Sequence, residues 1–340
     1  MSSFNASQLR HLSTATQVSA TLSLLGSLSM ITLRVVRPKL FASTMGGLVL
    51  ALAVIDAFGA IGRIPGRALL ETFGDQSGWC RVQAVFVQIF APAATNISLL
   101  MALTMVYVVF YKGSARTTEI LQPYLVAACV VLTLPAAITL LVHVSESESI
   151  IGDADQYCWI SARFAPYRIL YVYISVWITF AGALVAYIMT WVRLVNMERE
   201  IKSMSAVQPK SNRFRTVLAK RMMLFVMAFM LIWTPSTINR IYQAAFNDSI
   251  FALSLTHAIC NSLEGFINFL IFAFTMRSQI WGSTAANSSS ADGTSEINTI
   301  PMTVIQSQFD VHEADKVDFV AAFSNPGPAA SSTDSFFPRH

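Results

Sequence analysis

The chain has 340 residues, 54% of them hydrophobic and only 12% charged, with a net charge of +4 and a mean hydropathy of +0.55. Soluble globular proteins carry about 25% charged residues, so too little polar cover remains for a cytosolic enzyme or a nucleic-acid-binding domain. Four cysteines are too few for a disulfide-stapled secreted module, and the lysines and arginines sit in short clusters between apolar runs. The composition is that of a membrane protein.

A bilayer-spanning helix needs about 20 predominantly apolar residues. Stretches free of Asp, Glu, Lys and Arg, or interrupted once, number seven. They are His11 to Leu33, Leu40 to Gly62 with Asp56 inside, Val82 to Tyr111, Ile120 to Ser145, Ile169 to Val192, Met222 to Asn239, and Ser249 to Met276 with Glu264 inside. Backbone polar groups inside a bilayer must be satisfied within the segment, so the expected fold is an all-α seven-transmembrane helix bundle. The first run lacks an Ala-x-Ala-like cleavage site and is long enough to span, so it reads as a first helix and not as a signal peptide.

Alternate loops differ in basic content. Arg34, Arg37, Lys39, Lys112, Arg116, the run of eight from Arg193 to Arg221, and Arg277 fall on one side. The other side carries half as many: Arg10, Arg63, Arg67, Arg81, Arg163, Arg168 and Arg240. The richer side is expected to be cytoplasmic, which puts the N-terminus outside and the C-terminus inside. The sequons at Asn5 and Asn247 then face outside, as glycosylation requires. Residues 1–12 are expected as an extracellular N-terminus and 13–281 as the helical domain with a short membrane-surface stretch, Thr275 to Trp281. Residues 282–340, rich in Ser, Thr, Asn and Ala, are expected as a disordered cytoplasmic tail.

Seven helices do not fix a function. A retinal protein needs a lysine in its last helix, and Ser249 to Met276 contains none. A ceramidase-type hydrolase needs a cluster of zinc-binding histidines, whereas only His143 and His257 lie in or at the ends of spans, so no metal or other cofactor is expected. A repeat-built transporter should show helix breaks at matching places in its halves. The prolines at 92, 123, 135, 166 and 235 make no such pairing, but transport of a small solute stays as the alternative.

A receptor has positive support. Cys80 opens the third span and Cys158 precedes the fifth, both on the oxidising side, where a bridge would pin the loop Glu146 to Pro166 over the helix mouth. The sixth span holds Trp233-Thr234-Pro235, a proline hinge beside a bulky indole. Cys80, the run Tyr157-Cys158-Trp159-Ile160 and the run Trp233-Thr234-Pro235-Ser236-Thr237-Ile238-Asn239-Arg240 together resemble the cyclic-AMP-receptor-like G protein-coupled receptors. That family is known from slime moulds and occurs in other protists and some fungi. The resemblance runs from about Leu40 to Phe274 and implies a non-enzymatic plasma-membrane receptor for a small extracellular ligand, acting on a heterotrimeric G protein. It does not imply that the ligand is cyclic AMP. The third span ends in Tyr107, Tyr111 and Lys112, without the Asp-Arg-Tyr triplet of rhodopsin-like receptors.

Three groups of residues are candidates for the work. Asp56 and the stripe Asn261, Glu264, Asn268, spaced to share one helix face, are expected to form a buried polar network, because charges inside a bilayer are costly. Arg63, Arg67, Arg81, Arg163, Arg168 and Arg240 lie near the outer mouth and suit an anionic ligand, since guanidinium pairs phosphate or carboxylate bidentately; Arg240 is preferred because the family motif contains it. Arg213, Arg215, Lys220 and Arg221 flank the inner end of the sixth helix and are the G protein contact candidates.

Overall fold

The computed structural model describes residues 4–110, 115–142, 144–145, 148–203, 210–246 and 248–277. Side chains are described within those ranges except at 115–119, 144–145, 148, 162, 165, 198, 200–203 and 210–222. Asn247, the membrane-surface stretch beyond Arg277 and the tail lie outside the described residues, as do the side chains of Arg213, Arg215, Lys220 and Arg221.

The helices are α1 (Ala6–Val36), α2 (Thr44–Arg63), α3 (Ala68–Phe73), α4 (Gly78–Phe110), α5 (Ala115–Val131), α6 (Leu134–Val142), α7 (Ala165–Arg168), α8 (Ile174–Ser203), α9 (Lys210–Phe246), α10 (Phe251–Ser262) and α11 (Glu264–Thr275). Six spans are long and apolar enough to cross a membrane, and there are seven when α10 and α11 count as one. The seven-helix membrane bundle is therefore as expected. Four short strands, β1 (Val144–Ser145), β2 (Glu148–Ser149), β3 (Ile151–Asp153) and β4 (Cys158–Ile160), form two small antiparallel hairpins before α7.

Helix boundaries differ from the hydropathy reading in three instructive places. First, α1 starts at Ala6, because Asn5 accepts from the Gln8 backbone N–H while the Gln8 side chain accepts from the Asn5 N–H. This reciprocal cap satisfies two otherwise orphaned donors, so most of the segment read as an N-terminal extension is helix. Second, the fourth span divides at Leu132–Thr133 into α5 and α6 and stops at Val142, with Val144–Ser145 in β1. Pro135 has no N–H to give the Val131 carbonyl, and its ring crowds that turn, which accounts for the break. Third, α10 and α11 are bent 52° apart at Leu263.

The outer faces of the bundle are apolar, with Leu22, Leu25, Ile138, Ile178, Ile188 and Leu231 exposed, as lipid requires. The inward face of α1 is small instead: Thr16, Ser19, Ala20, Ser23, Gly26 and Ser27 are all buried. Small residues allow close backbone approach. A Cβ on Gly26 would stand 2.8 Å from the Phe266 Cα, so α1 and α11 touch almost backbone to backbone. The core proper lies among α4, α8, α9 and the β3–β4 hairpin, centred on Trp233, Val176, Ile150 and Ile160.

Candidate functional site

The end of the bundle expected to face outward is built around the expected disulfide. Cys80 and Cys158 are bridged, tying β4 to the first turn of α4. Gln83, one turn further along α4, reinforces the tie: its Oε1 accepts from the Cys158 N–H at 2.9 Å, and its Nε2 donates to the carbonyls of Gly62 and Gly66 at 3.1 Å. Gly66 sits at φ +54° with Ser13 where a Cβ would go, so the turn after α2 demands glycine. Gln88, a further turn down, accepts from the Trp159 indole N–H at 2.9 Å and donates to the Tyr171 carbonyl at 3.3 Å. That carbonyl belongs to a π-helical turn, Ile169–Tyr173, whose irregular backbone needs such a partner.

The six outer arginines separate into three groups. Arg81 and Arg163 are exposed. Arg67 is structural: its guanidinium meets Asp153 bidentately at 2.6 and 2.8 Å, donates to the Asp155 carbonyl at 3.0 Å and lies 3.5 Å from Glu71. Burial works against its charge, but the Asp153 hydrogen bond and carboxylate more than offset that and hold the Arg67 pKa above the usual value.

Arg63, Arg168 and Arg240 form the third group, and all three are buried. Arg63, at the end of α2, donates to Asn261 Oδ1 at 3.1 Å, and its Nε has no partner. Arg168 is only 2% exposed; its Nε donates to the Ile160 carbonyl at 2.9 Å, its guanidinium lies 5.7 Å from the Trp159 ring centre, and its Nη2 is unpartnered. Arg240 donates from Nε to Tyr173 Oη at 3.1 Å and from Nη1 to Gln243, with its guanidinium 5.4 Å from the Tyr173 ring. Neither Arg168 nor Arg240 makes an ion pair among the described residues. Burying a charge without a counter-ion costs several kcal/mol, roughly, so such a pair is retained where something compensates it.

Arg63 and Arg240 line one cavity with Tyr157, Trp159, Tyr173, Trp233, His257 and Asn261. Its free volume is about 20 Å³, room for about one water molecule. A larger cavity, about 290 Å³, lies between α4, the α5–α6 break and the start of α8. It is lined by Gln88, Asn96, Thr133, Tyr171 and Ser175 among apolar neighbours and carries no charge.

Directly below the arginines lies the polar network. Asn268 donates to Asp56 Oδ2 at 2.9 Å, and Arg63 joins Asn261, so α2 meets α10 and α11 along the expected stripe. Glu264 is buried among the same groups, next to Arg63 and Asp56. Trp233, 1% exposed, has its indole nitrogen buried toward Glu264 without hydrogen-bond geometry. Ser23 accepts from the Gly265 N–H at 2.9 Å, and the nearby Ser27 hydroxyl is unpartnered. The bend at Leu263 thus falls where α1, α2 and α9 converge.

Sequence reasoning had passed over His257 and Asn239 as separate features. Here Asn239 Nδ2 lies 3.2 Å from His257 Nδ1, and Ser254 donates to Asn239 Oδ1 at 3.4 Å, so the residue before Arg240 fastens α9 to α10. Asp155 and Tyr173 were also missed, and Tyr157 entered only as part of the family run. Their partners lie on other helices, and only the tight run Tyr157-Cys158-Trp159 hinted at them.

The family model for the slime mold cyclic AMP receptor matches residues 13–287, most of the chain. The chain belongs to that family. The motifs that carried the resemblance are the ones that build the outer site: Cys80 and Cys158 close it, Trp159 floors the hairpin, and Trp233, Asn239 and Arg240 face it. No curated protein matches the chain. Membership makes it a multi-pass membrane protein of a receptor family.

Proposed function

We propose that this chain is a plasma-membrane G protein-coupled receptor, N-terminus outside, whose extracellular ligand is a small anion of the cyclic-nucleotide class. The observation that carries the reading is the pair of buried guanidiniums without ion pairs among the described residues: Arg240 lines the aromatic cavity, and Arg168 lies against the Trp159 ring that also lines it. An anionic group meets there the desolvated donors that a phosphate prefers, and Tyr157, Trp159 and Tyr173 offer ring faces to a planar base. The family's own description, a cyclic AMP receptor, supports the same ligand class.

Small-molecule sites of this kind measure several hundred Å³, roughly, so the present cavity is a contracted form. Ligand entry requires the outer helix ends and the hairpin to part, and a ligand that binds the parted form preferentially shifts the population toward it. Trp233 lies between the cavity and Glu264, two residues from Pro235 inside α9. Movement at the cavity is therefore carried to the hinge, and the inner half of α9, which carries Arg213, Arg215, Lys220 and Arg221, swings to admit a G protein.

Saturation binding of labelled cyclic AMP to membranes tests this. Wild type binds saturably; Arg168→Ala and Arg240→Ala each lose affinity about tenfold or more at equal surface expression, and Arg240→Lys recovers part of it. Undiminished affinity in both alanine variants contradicts the assignment.

A further inference from the structure

Among the described residues, the carboxylate that acts electrostatically on both Arg168 and Arg240 is Asp155, and the hairpin fixes its position. Asp155 occupies the left-handed region, φ 72°, which Asp tolerates better than most residues but which still disfavours it. Three interactions fix the turn. The Asp155 N–H donates to Asp153 Oδ1 at 2.8 Å, Arg67 Nη1 donates to the Asp155 carbonyl at 3.0 Å, and the Ala154 N–H donates to the Tyr157 carbonyl at 3.1 Å. Arg67 and the disulfide in turn fix the two strands of the hairpin.

All this positioning leaves the carboxylate itself unused. Among the described residues, Asp155 Oδ1 is buried without a hydrogen-bond partner, and the side chain makes no ion pair. Its charged neighbours are Arg67 from the turn after α2, Arg168 from α7, Arg240 from α9 and Asp153 from its own hairpin. Tyr157 and His257 line the cavity beneath. Among the charged neighbours, Arg168 has an Nη2 that is equally unpartnered. A buried acceptor and a buried donor stand in one electrostatic cluster without touching.

We propose that Asp155 is a tethered counter-ion of the ligand site, a negative charge built into the hairpin that competes with an anionic ligand for the field of Arg168 and Arg240. The inference rests on the anion-receptor reading above and deepens it. In the unliganded receptor the carboxylate offsets charge that would otherwise be buried uncompensated. When an anion arrives it repels that anion, so affinity is held below what the arginines alone would give. Specificity follows: a doubly charged anion suffers the repulsion twice over, so Asp155 narrows the advantage that the arginines alone would give a phosphate monoester over a cyclic phosphodiester.

Burial raises the Asp155 pKa above the ordinary carboxylate value, with Asp153 adding to the rise and Arg168, Arg240 and Arg67 opposing it. Protonation removes the competing charge, so anion affinity increases as pH falls toward the carboxylate range.

The test uses the purified full-length receptor with two probes, cyclic AMP and inorganic phosphate, read by binding and by anion-dependent thermal stabilisation. Asp155→Asn keeps the shape and the left-handed turn while removing the charge. The expected result is affinity for both probes raised about threefold to tenfold, with the larger gain for phosphate. Asp248→Asn, which removes an exposed charge that forms no ion pair among the described residues, changes affinity less than Asp155→Asn does. As pH falls from neutrality toward the carboxylate range, wild type gains affinity and Asp155→Asn gains less, the remainder belonging to the probe's own titration. Equal or weaker binding in Asp155→Asn, with wild type binding normally, overturns the counter-ion and makes Asp155 a ligand contact or a structural residue. No anion effect on either protein overturns the anion-receptor reading and the counter-ion with it.

Discussion

Single residues decide the chemistry here by what they lack. Arg67 is paired with Asp153 and Glu71 and holds the hairpin, whereas Arg168 and Arg240 are also buried and have no ion-pair partner among the described residues. Sequence order made all six outer arginines alike. What separates them is whether an acid from elsewhere in the chain reaches them: Asp153 lies 86 residues from Arg67, and no local pattern encodes that pairing. The inner network was more legible. Asn261, Glu264 and Asn268 share a helical face, and a carboxylate in a span has few apolar alternatives, so Asp56 had to find them. With two carboxylates beside one guanidinium, the network is charge-frustrated and sensitive to its neighbours. Asp56→Asn and Glu264→Gln at matched surface expression should each change basal or stimulated signalling, measured as second-messenger output. Unchanged output in both variants reduces the network to a static contact between α2 and α11.

At the scale of elements, hydropathy located every span but not its shape. The span from Ile120 contained the signal for its own break in Pro135, and residues beyond Val142 were apolar enough to mislead although they pair as a hairpin. The bend at Leu263 carries no proline. It arises where Glu264 and Gly265 meet Ser23, Ser27 and Asp56, a tertiary cause that a one-dimensional pattern does not display. The β3–β4 hairpin depends on the disulfide and on Gln83 together. Closing a loop of 78 residues stabilises a fold by about 4 kcal/mol in the chain-entropy model. Replacing Cys80 and Cys158 together by serine should lower thermal stability by up to that amount. It should also weaken cyclic AMP binding more than it lowers surface expression, because the hairpin that carries Asp155, Tyr157 and Trp159 is released. Full affinity in the double variant would mean that the hairpin does not form the site.

The whole molecule joins two ends. The end expected to face outward gathers α2, α4, α7, α9 and α10 around buried cations; the opposite end is the extension of α8 and α9 beyond the apolar core, as far as Ser203 and from Lys210. Between them Trp233 and Pro235 lie on a single unbroken helix, α9, so a rotation imposed near Arg240 has a direct route inward. Positive charge at an inner membrane face attracts anionic lipid at about 1 kcal/mol per residue, which accounts for basic residues in any such loop. The receptor account asks more of Arg213, Arg215, Lys220 and Arg221: they should contact the G protein. A transporter would need none of this and would instead move its ligand across the bilayer.

The most direct measurement is nucleotide exchange on a heterotrimeric G protein by the purified receptor in vesicles, with and without saturating cyclic AMP. The account predicts that ligand accelerates exchange by wild type. Neutralising Arg213, Arg215, Lys220 and Arg221 together should abolish that acceleration while ligand binding is retained. Saturable ligand binding without any acceleration, or flux of the ligand into the vesicles in its place, would contradict it.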